Sequence, residues 1–558
     1  MIAEKGTLRE RIEESLVSGQ PGVWVRSHEP DEVILTIVGL AKEYASEEMP
    51  WQLQIWDCVK GLQAAGKDDS IATQGQNSCV AAVKAALHMA ELRRAEQLKD
   101  ENAEINDRIV LVLRNGHREI SNNGVVNKDL LMAIQHLLSV GEATMVHLVI
   151  MSFPGIELPT ELRQQFWVLD HEYPREDERR ELITSLLEGD GYDLPDEAGI
   201  SKAVQTCSGL TRAQVKGVCA ISLLQHGELV DDVLFRLKVD AVNQAGLLEL
   251  TTTGERFETC VIERDKKQVE IPGLGGYPAL KRLGVGLCQV GLKPKFRPKG
   301  LMLVGPPGTG KTMFCRCLGH ETGRLPMEAK LGRLRGSLVG QTEERTEEMF
   351  GVADSCEPGI LFVDEVEKYI KADEHGLSHE TTEHVKGEVL KWMQDHTSDV
   401  ALICTANDVR KLPPEFGRTG RIDLMFYMGF PTEEAKQTIW QTYLQYFELK
   451  KLDLELPEGT KNWVGSDIRG CCFLTGVMRQ RVDPNFTLRD AAKLIRPTYE
   501  KYPEQIEAVM KWADGVCIDG ETGETFNRQK AERAMGSSIV AGHRPSRKVK
   551  RRRPAAAS

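Results

Sequence analysis

The chain has 558 residues, a net charge of −12 at pH 7, 41% hydrophobic residues and 28% charged residues; the length predicts about three domains and the composition predicts a globular protein. No apolar run approaches the roughly 18–20 residues that a membrane helix needs, and the first residues lack a signal peptide's apolar core, so we predict a cytoplasmic protein without membrane contact. The thirteen cysteines contain no C-x-x-C pair, which favours reduced, buried thiols over metal ligands.

The first half alternates short apolar runs with helical patterns. The predicted strands are "GVWVRS", "WQLQIWD", "RIVLVLRN", "TMVHLVIMS" and "QFWVLDHEYP", and the helical stretch "EDERRELITSLL" follows them. Residues 186–247 have the pattern of a small helical domain, and the polar stretch "GKDDSIATQGQNS" predicts a mobile loop. Strands that alternate with helices indicate a parallel sheet with helices on both faces.

The second half repeats this rhythm after a polar, Gly/Pro-rich boundary near residue 255. Its predicted strands are "GLMLVG", "GILFVDE", "VALICTAN" and "LMFYMGF", and from "TEEAKQTIWQTYL" onward the pattern is helical with no strong strand. The sequence therefore predicts an α/β core followed by a small helical domain, and it suggests one architecture used twice.

The stretch "GPPGTGKT" fits the phosphate-binding pattern G-x-x-x-x-G-K-[ST]. Glycines let the main-chain N–H groups approach a polyphosphate at the start of a helix, whose dipole also favours anions. We expect Lys311 to bridge the β- and γ-phosphates of a nucleotide and the Thr312 hydroxyl to coordinate Mg²⁺. A Gly-rich turn could match by chance, but this one follows an apolar strand and precedes a helical pattern, as the chemistry requires.

Three further elements follow the loop in order. Asp364 and Glu365 end a buried strand, where Asp364 would hold Mg²⁺ through water and Glu365 would polarise the attacking water. Asn407 ends the next strand and could orient that water, although such an Asn often only caps a turn. Arg418 and Arg421, in "GRTGRID", could reach a neighbouring subunit's γ-phosphate or could form an ordinary surface pair.

In this order and spacing the four elements resemble an AAA+ ATPase of the AAA subgroup over about residues 268–480. The resemblance implies that Lys311 lies in the Walker A motif, that Asp364 and Glu365 form Walker B, that Asn407 is the first sensor, and that the two arginines are fingers acting on the adjacent subunit. "PGLGGYPALKR" resembles the family segment that lies near adenine, and "WVGSDIRGCC" resembles the start of the lid helix. The nucleotide-binding residues implied are Gly275, Gly276, Gly305, Pro306, Pro307, Gly308, Thr309, Gly310, Lys311, Thr312 and Met313.

Two positions depart from the family pattern. Leu338 stands where threading members carry a pore-loop aromatic, which puts grip on an extended peptide in doubt. Ser466 stands where many AAA+ relatives carry a second-sensor arginine, and Arg469, about a turn away, is expected at the surface. The AAA subgroup often lacks that arginine, so ATP hydrolysis is still expected.

The first half alternates strands and helices in the same way but lacks the phosphate-binding and carboxylate motifs. "HEPDEV" follows its first strand without a Gly-Lys pair, and Arg114 with Asn115 follows "RIVLVL" in place of an Asp-Glu pair. This arrangement is similar to a family of chloroplast- and cyanobacterium-associated AAA ATPases with a degenerate, non-hydrolysing N-terminal half, matched by "GVWVRSHEPDEVI", "LQIWDCVKGL", "LPTELRQQFWVLDHEYP", "GLTRAQVKGV" and "NQAGLLEL". The basic tail and "CIDGETGETFNRQK" are not features of that family.

The resulting prediction is an α/β fold: a P-loop NTPase (AAA+) core with a parallel sheet and a C-terminal helical lid, preceded by a degenerate AAA-like α/β domain with its own helical segment. The predicted segments are the degenerate domain at 1–185, a helical subdomain and linker at 186–254, the large ATPase domain at 255–432, the lid and C-terminal extension at 433–535, and a disordered basic tail at 536–558.

We expect ATP and Mg²⁺ as cofactors, a homo-hexamer or other ring, and remodelling or regulation of a protein partner held by the N-terminal half. A DNA-linked helper ATPase and a nucleotide-gated scaffold or signalling switch remain alternatives. The tail carries seven Lys or Arg and no acid, so the rest of the chain carries −19. The tail could be a solvated end, a nucleic-acid contact or a nuclear import signal, whereas the acidic body disfavours nucleic acid.

Overall fold

The computed structural model forms two compact units. It describes residues 6–47, 49–64, 78–100, 104–122, 125–154, 156, 158–189, 191–251, 254–264, 267–334, 341–369, 379–412, 420–450 and 455–535. The first unit holds the described residues of Met1–Ala241 and of Gly336–Ser355, and the second holds those of Val242–Arg335 and of Cys356–Ser558. Arg418, the pore-loop residue Leu338 and the basic tail lie outside the described residues. The expected mobile loop also lies outside them, apart from Ser78.

The first eight strands and nine helices follow one another from the N-terminus. The strands are β1 (Gly22–Arg26), β2 (Trp51–Asp57), β3 (Gly61–Ala64), β4 (Arg108–Leu113), β5 (Ser121–Asn122), β6 (Val125–Val126), β7 (Val146–Ser152) and β8 (Trp167–Asp170). The helices are α1 (Leu8–Val17), α2 (Pro30–Glu43), α3 (Cys79–Lys99), α4 (His117–Ile120), α5 (Lys128–Thr144), α6 (Glu176–Gly189), α7 (Glu197–Thr206), α8 (Arg212–His226) and α9 (Asp231–Ala245).

The first unit is built on a six-stranded sheet in the order β3-β2-β4-β7-β1-β8. All neighbours are parallel except β3, which pairs antiparallel with β2. Successive side chains of β1 point to opposite faces, so Val23 and Val25 pack with α1 and α2, while Trp24 joins the core that α3 and α5 cover. Burial on both faces explains why these strands appear in the sequence as continuous apolar runs.

The remaining elements belong to the second half of the chain. The strands are β9 (Leu248–Leu250), β10 (Thr259–Arg264), β11 (Lys267–Pro272), β12 (Gly300–Val304), β13 (Leu325–Ala329), β14 (Gly359–Val363), β15 (Val400–Ala406), β16 (Leu424–Tyr427) and β17 (Ile518–Asp519). The helices are α10 (Pro278–Leu287), α11 (Lys311–Thr322), α12 (Leu331–Leu334), α13 (Gln341–Ser355), α14 (His379–Asp395), α15 (Glu433–Tyr446), α16 (Gly465–Arg481), α17 (Leu488–Leu494), α18 (Thr498–Lys501), α19 (Pro503–Ala513) and α20 (Arg528–Met535). Short 3₁₀ turns include Val366–Lys368 and Val409–Lys411.

The second unit contains a seven-stranded sheet in the order β17-β16-β12-β15-β14-β13-β9. Its strands are parallel except β9, which pairs antiparallel with β13. Phe314 and Leu318 of α11 and Leu280 of α10 cover one face of this sheet. Helices α15 to α17 form a separate small core around Trp440 and Trp463, and we call these three helices the lid.

The two sheets share one strand order. In the first, β8-β1-β7-β4-β2 places the opening strand between the last and the fourth; in the second, β16-β12-β15-β14-β13 does the same. Each of these parallel sets also carries an antiparallel strand at the same edge, β3 beside β2 and β9 beside β13. The predicted fold class is therefore confirmed, with a parallel P-loop NTPase-type sheet and helical lid preceded by an α/β domain of like design.

The structure adds strands that the sequence pattern did not predict, among them β13 and the hairpin β10–β11, and two further details concern the predicted boundaries. Residues 248–250 precede the expected boundary at 255, yet as β9 they belong to the second sheet. After residue 433 the sequence predicts a helical pattern with no strong strand, and among the described residues the structure adds the two-residue strand β17, which is too short to give an alternating pattern. The division into five segments otherwise stays a prediction.

Candidate functional site

The loop between β12 and α11 has the shape of an anion cradle. Gly308 and Gly310 have φ angles of +82° and +95°, a region that glycine enters without steric cost. A Cβ on Gly305 would lie 2.1 Å from the Met428 carbonyl oxygen, so the loop passes against the end of β16 where only glycine fits. Helix α11 begins directly after the loop at Lys311, so its N-terminal dipole faces the space that the loop surrounds.

Lys311 is buried and holds its charge close to the loop. Its Nζ donates to the carbonyl oxygens of Gly305 at 2.9 Å and Pro306 at 2.8 Å. Burial lowers the pKa of Lys311 to about 8, against the opposing effect of the nearby carboxylates, of which Asp364 has the largest effect. A polyphosphate in the cradle would raise the pKa of this lysine again, since an opposite charge at close range favours the charged form.

Thr312 and Asp364 bring two hard oxygen ligands together. The Thr312 hydroxyl donates to Asp364 Oδ2 at 3.0 Å, and the Thr405 hydroxyl donates to Asp364 Oδ1 at 2.5 Å. Hydroxyl and carboxylate oxygens are the ligands that Mg²⁺ accepts beside phosphate oxygens and water. Within the described part of the chain there is no cluster of three or more His, Cys, Asp or Glu suited to a metal, so this pair fits an ion that the nucleotide helps to hold.

Glu365 and Asn407 are joined directly. The Asn407 side-chain amide donates to Glu365 Oε1 at 2.7 Å, and the Glu365 main-chain N–H donates to the Thr405 hydroxyl at 2.8 Å. Glu365 has a φ of +50°, which turns it out of the strand end. The Oδ1 atom of Asn407 is buried and has no hydrogen-bond partner within the described residues. A carboxylate with a neighbouring free amide oxygen can bind a water molecule between them.

Glu367 is a site residue that sequence reasoning missed. Its Oε1 accepts hydrogen bonds from the main-chain N–H groups of Asn407 at 2.9 Å and Asp408 at 3.2 Å. Burial raises the pKa of this carboxyl group. The signal in the sequence was a second carboxylate two residues after Glu365, which could have been noticed but not assigned to Asn407.

Lys311, Thr312, Asp364, Glu365 and Asn407 line one open pocket of about 330 Å³. The residues that line it come from the segment before α10, from the loop and α11, from the ends of β14 and β15, and from the lid: Gly273, Leu274, Gly275, Pro307, Gly308, Thr309, Gly310, Lys311, Thr312, Met313, Asp364, Glu365, Asn407, Ile439, Thr442, Tyr443, Gly465, Ser466 and Arg469. Of the predicted set, Gly276, Gly305 and Pro306 lie beside this lining rather than in it. Arg469 is exposed, as expected, yet it also lines the pocket.

Arg421 lies away from this pocket. A Cβ on Gly300 would be 2.4 Å from the Arg421 carbonyl oxygen, so the main chain of Arg421 passes the first residue of β12, whereas the loop follows the last residue. Five strand residues separate the two points, roughly 13 Å or more. The main chain of Arg421 therefore lies at the amino ends of the strands, whereas the pocket lies at their carboxyl ends.

In the first sheet, ion pairs lie at the corresponding carboxyl ends of the strands. Arg114, which follows β4 as Asp364 follows β14, lies 2.8 Å from Asp31 and 3.3 Å from Asp57. The next residue, Asn115, has a φ of +54°, close to that of Glu365, so the turn is kept while the carboxylates are replaced.

The segment between β1 and α2 is short and is bonded to helix α8. Only residues 27–29 connect β1 with α2, too few for a cradle. The Glu29 carboxylate accepts from the Ala213 main-chain N–H at 2.9 Å, at the start of α8, and from the Arg212 guanidinium at 3.3 Å. Arg212 also binds Glu178 at 2.8 Å. The N-terminus of α8 therefore binds a carboxylate of its own chain.

Comparison with known proteins gives the family context. Residues 301–430 match the family described as "ATPase family associated with various cellular activities (AAA)", and residues 8–171 match the "SpoVK-like AAA ATPase, N-terminal domain". No helix among the described residues is long and apolar enough to cross a membrane.

Similar curated proteins cover both parts of the chain. The AAA domain-containing protein ycf46 of Guillardia theta is 26% identical over 381 residues, covering 65% of this chain and 72% of the relative. The ycf46 protein of Trieres chinensis is 25% identical over 382 residues, covering 65% and 73%. The proteasome-activating nucleotidase of Methanococcus maripaludis strain C7 is 28% identical over 210 residues, covering 37% and 51%. The chain thus combines an AAA ATPase domain with a SpoVK-like AAA ATPase N-terminal domain, as the resemblance in its motifs predicted.

Proposed function

We propose that the protein is an Mg²⁺-dependent ATPase that assembles into a homo-oligomeric ring, a hexamer in the simplest case, and uses ATP to remodel or regulate a protein partner. One observation carries the hydrolytic part of the proposal. Lys311, Thr312, Asp364, Glu365 and Asn407 converge on one pocket at the carboxyl ends of parallel strands, where α/β sheets of this kind bind ligands.

Each residue has a distinct task in this proposal. The loop N–H groups and Lys311 bind the phosphates, and Thr312 with Asp364 would hold Mg²⁺, which neutralises charge on the phosphate oxygens. Glu365 accepts a proton from, or orients, the attacking water, and the Asn407 amide fixes the carboxylate that does so. The segment with Gly275 and Gly276 and the lid residues Ile439 and Tyr443 would enclose the base.

The arginine fingers act between subunits in this proposal. The main chain of Arg421 lies at the opposite end of the strands from the pocket of the same subunit. This position supports a role on the nucleotide of a neighbouring subunit. Arg418, three residues earlier, is proposed as its companion. A guanidinium group beside the γ-phosphate stabilises the charge that develops in the transition state.

The test of hydrolysis is the Glu365→Gln variant. It keeps the phosphate cradle, so we expect MgATP binding by calorimetry to match wild type while turnover falls at least ~100-fold, because water activation is lost. Glu458→Gln, on a carboxylate that is 95% exposed in the same unit, is the matched control and should turn over at the wild-type rate. Wild-type turnover by Glu365→Gln would remove this residue from the mechanism.

The ring is tested by mixing inactive subunits. Arg421→Ala should bind ATP and hydrolyse little of it, and so should Glu365→Gln. A mixture of the two should regain activity, because some interfaces then combine an intact finger with an intact Glu365. A strictly monomeric wild type with full activity would contradict the proposal.

A protein partner is favoured over nucleic acid by the charge of the chain, which is −19 outside the basic tail. The named activity of the nucleotidase relative, proteasome activation, is also directed at a protein assembly. Affinity capture with ATP-loaded Glu365→Gln, with and without nuclease, is expected to retain a protein that dissociates when ATP is replaced by ADP. Retention of nucleic acid instead would contradict this part of the proposal.

A further inference from the structure

The C-terminal extension, residues 497–535, returns from the lid to the sheet of the ATPase domain. Its strand β17 pairs parallel with β16, and Gly520 donates from its N–H to the Tyr427 carbonyl at 2.9 Å. Phe526 packs on Tyr427 with ring centroids 3.9 Å apart. The stretch "CIDGETGETFNRQK", which has no place in the ATPase motifs, is thus an added edge of the catalytic sheet.

The extension is anchored at its start to the lid helix α16. The buried Asp467 accepts from the main-chain N–H of Thr498 at 3.1 Å and from its hydroxyl at 2.8 Å. The same carboxylate accepts from the Val464 N–H at 3.1 Å and so caps α16. One buried carboxylate therefore joins the lid helix to the first turn of the extension.

Helix α19 then contacts the turn that carries Asn407. It packs against the 3₁₀ turn Val409–Lys411, and the Gln505 side chain donates from Nε2 to the Asn407 main-chain oxygen at 2.9 Å. Two elements thus hold the Asn407 main chain from opposite ends, since its N–H donates to Glu367 and its carbonyl accepts from Gln505. Between these two bonds the Asn407 side chain is aimed at Glu365.

A second contact of the extension reaches the other end of the pocket. Glu521 Oε1 accepts from the Tyr277 N–H at 3.1 Å and lies 2.8 Å from where a Cβ on Gly276 would be. The Leu280 N–H donates to the Gly520 carbonyl at 2.9 Å. The extension therefore touches both the segment proposed near adenine and the residue proposed near the γ-phosphate.

We propose that the C-terminal extension positions Asn407 for ATP hydrolysis, and that Gln505 is the positioning residue through which it acts. This inference rests on the proposed hydrolysis at Glu365 and Asn407. Gln505 touches no nucleotide in this scheme, so its loss affects the rate of the chemical step and spares binding. Displacement of a catalytic group by about 1 Å can lower a rate by up to ~100-fold, so we expect a loss of about 10-fold in kcat from one lost support.

The test compares Gln505→Met with Lys511→Met in the full chain. Methionine keeps the length and volume of glutamine without a donor, and Lys511 is an exposed residue of the same helix. We expect Gln505→Met to lower kcat about 10-fold with KM for ATP within about twofold of wild type, and Lys511→Met to change neither. Equal thermal unfolding temperatures for the two variants exclude a general loss of folding as the cause.

A second readout does not depend on turnover. The amide hydrogens of Asn407 and Asp408 should exchange faster with solvent in Gln505→Met than in Lys511→Met, because one of the two supports of this turn is gone. Wild-type kcat or wild-type exchange in Gln505→Met would overturn the proposal. A wild-type protein that fails to hydrolyse ATP would refute the proposed function instead, and amide exchange would then decide on its own whether Gln505 holds the turn.

Discussion

Replacing Gly308 by alanine should weaken ATP binding by a predictable amount. At a φ of +82°, any residue with a Cβ is strained by roughly 1–2 kcal/mol. The added Cβ would also lie 2.0 Å from Ser466 Oγ and 2.8 Å from Ser466 Cβ, at the start of the lid helix α16. Overpacking of this kind costs about 1–3 kcal/mol. The sum, at least about 2 kcal/mol, disfavours this loop conformation against relaxed ones that do not bind phosphate, so recovering it on binding should raise the Kd for ATP by roughly 30-fold or more.

The assay is calorimetric titration of MgATP into Gly308→Ala on the Glu365→Gln background, which prevents turnover. Ser466→Gly added to Gly308→Ala removes both closest contacts, so we expect about half of the lost affinity to return while the backbone strain stays. Gly323→Ala is the matched control, because Gly323 has a φ of +69° with no atom within 4 Å of the new Cβ; it should bind ATP normally. A Kd for Gly308→Ala within threefold of its parent, or no recovery with Ser466→Gly, would refute this account of the loop and lid.

Three further predictions follow from the geometry. Gly305→Ala should destabilise the ATPase domain by about 1–3 kcal/mol in chemical denaturation, because its Cβ would meet a main-chain oxygen of Met428 that has no freedom to move; an unchanged midpoint would contradict this. Burial lowers the pKa of His147 to about 4, so the folded chain stays neutral there while the unfolded chain takes up a proton below pH 6.5; this histidine alone should make the free energy of unfolding about 2 kcal/mol lower at pH 5 than at pH 7.5, and His147→Gln should remove that part of the pH dependence, whereas the part from His171, whose pKa burial lowers to about 3, should stay. Equilibrium dialysis should find one nucleotide per chain, and two would show that the first unit also binds ATP.

Most of the fold could be predicted from apolar periodicity. Strands buried on both faces, such as β4, β7, β12, β14 and β15, appear as continuous apolar runs, and the runs in the sequence predict these strands together with β1, β2, β8 and β16. β13 was missed because "LPMEA" begins with a Leu-Pro pair and contains a Glu, and β9 because three residues carry too little pattern. The shared strand order could be suspected from the repeated rhythm, but only hydrogen-bond pairing establishes it.

The site was predicted where its chemistry is encoded in consecutive residues. Gly305 to Thr312, and Asp364 with Glu365, are local motifs whose residue types follow from phosphate and Mg²⁺ binding. Gln505 could not be predicted, because a single glutamine on a helix has no signature and its partner is a main-chain oxygen 98 residues away. The same holds for Arg114, whose two carboxylate partners lie at the start of α2 and at the end of β2. Their roles depend on tertiary position, which one sequence does not contain.

The hydrogen bond and ion pairs of Glu29 and Arg212 form without any bound ligand. The phosphates of a nucleotide arrive and leave, whereas the Glu29 carboxylate belongs to the chain and accepts from the N-terminus of α8 without any ligand. Arg212 and Glu29 are each about nine-tenths shielded from water, so salt at ordinary concentrations screens their attraction little. The start of α8 is thus held to the segment between β1 and α2 by contacts that need no bound nucleotide.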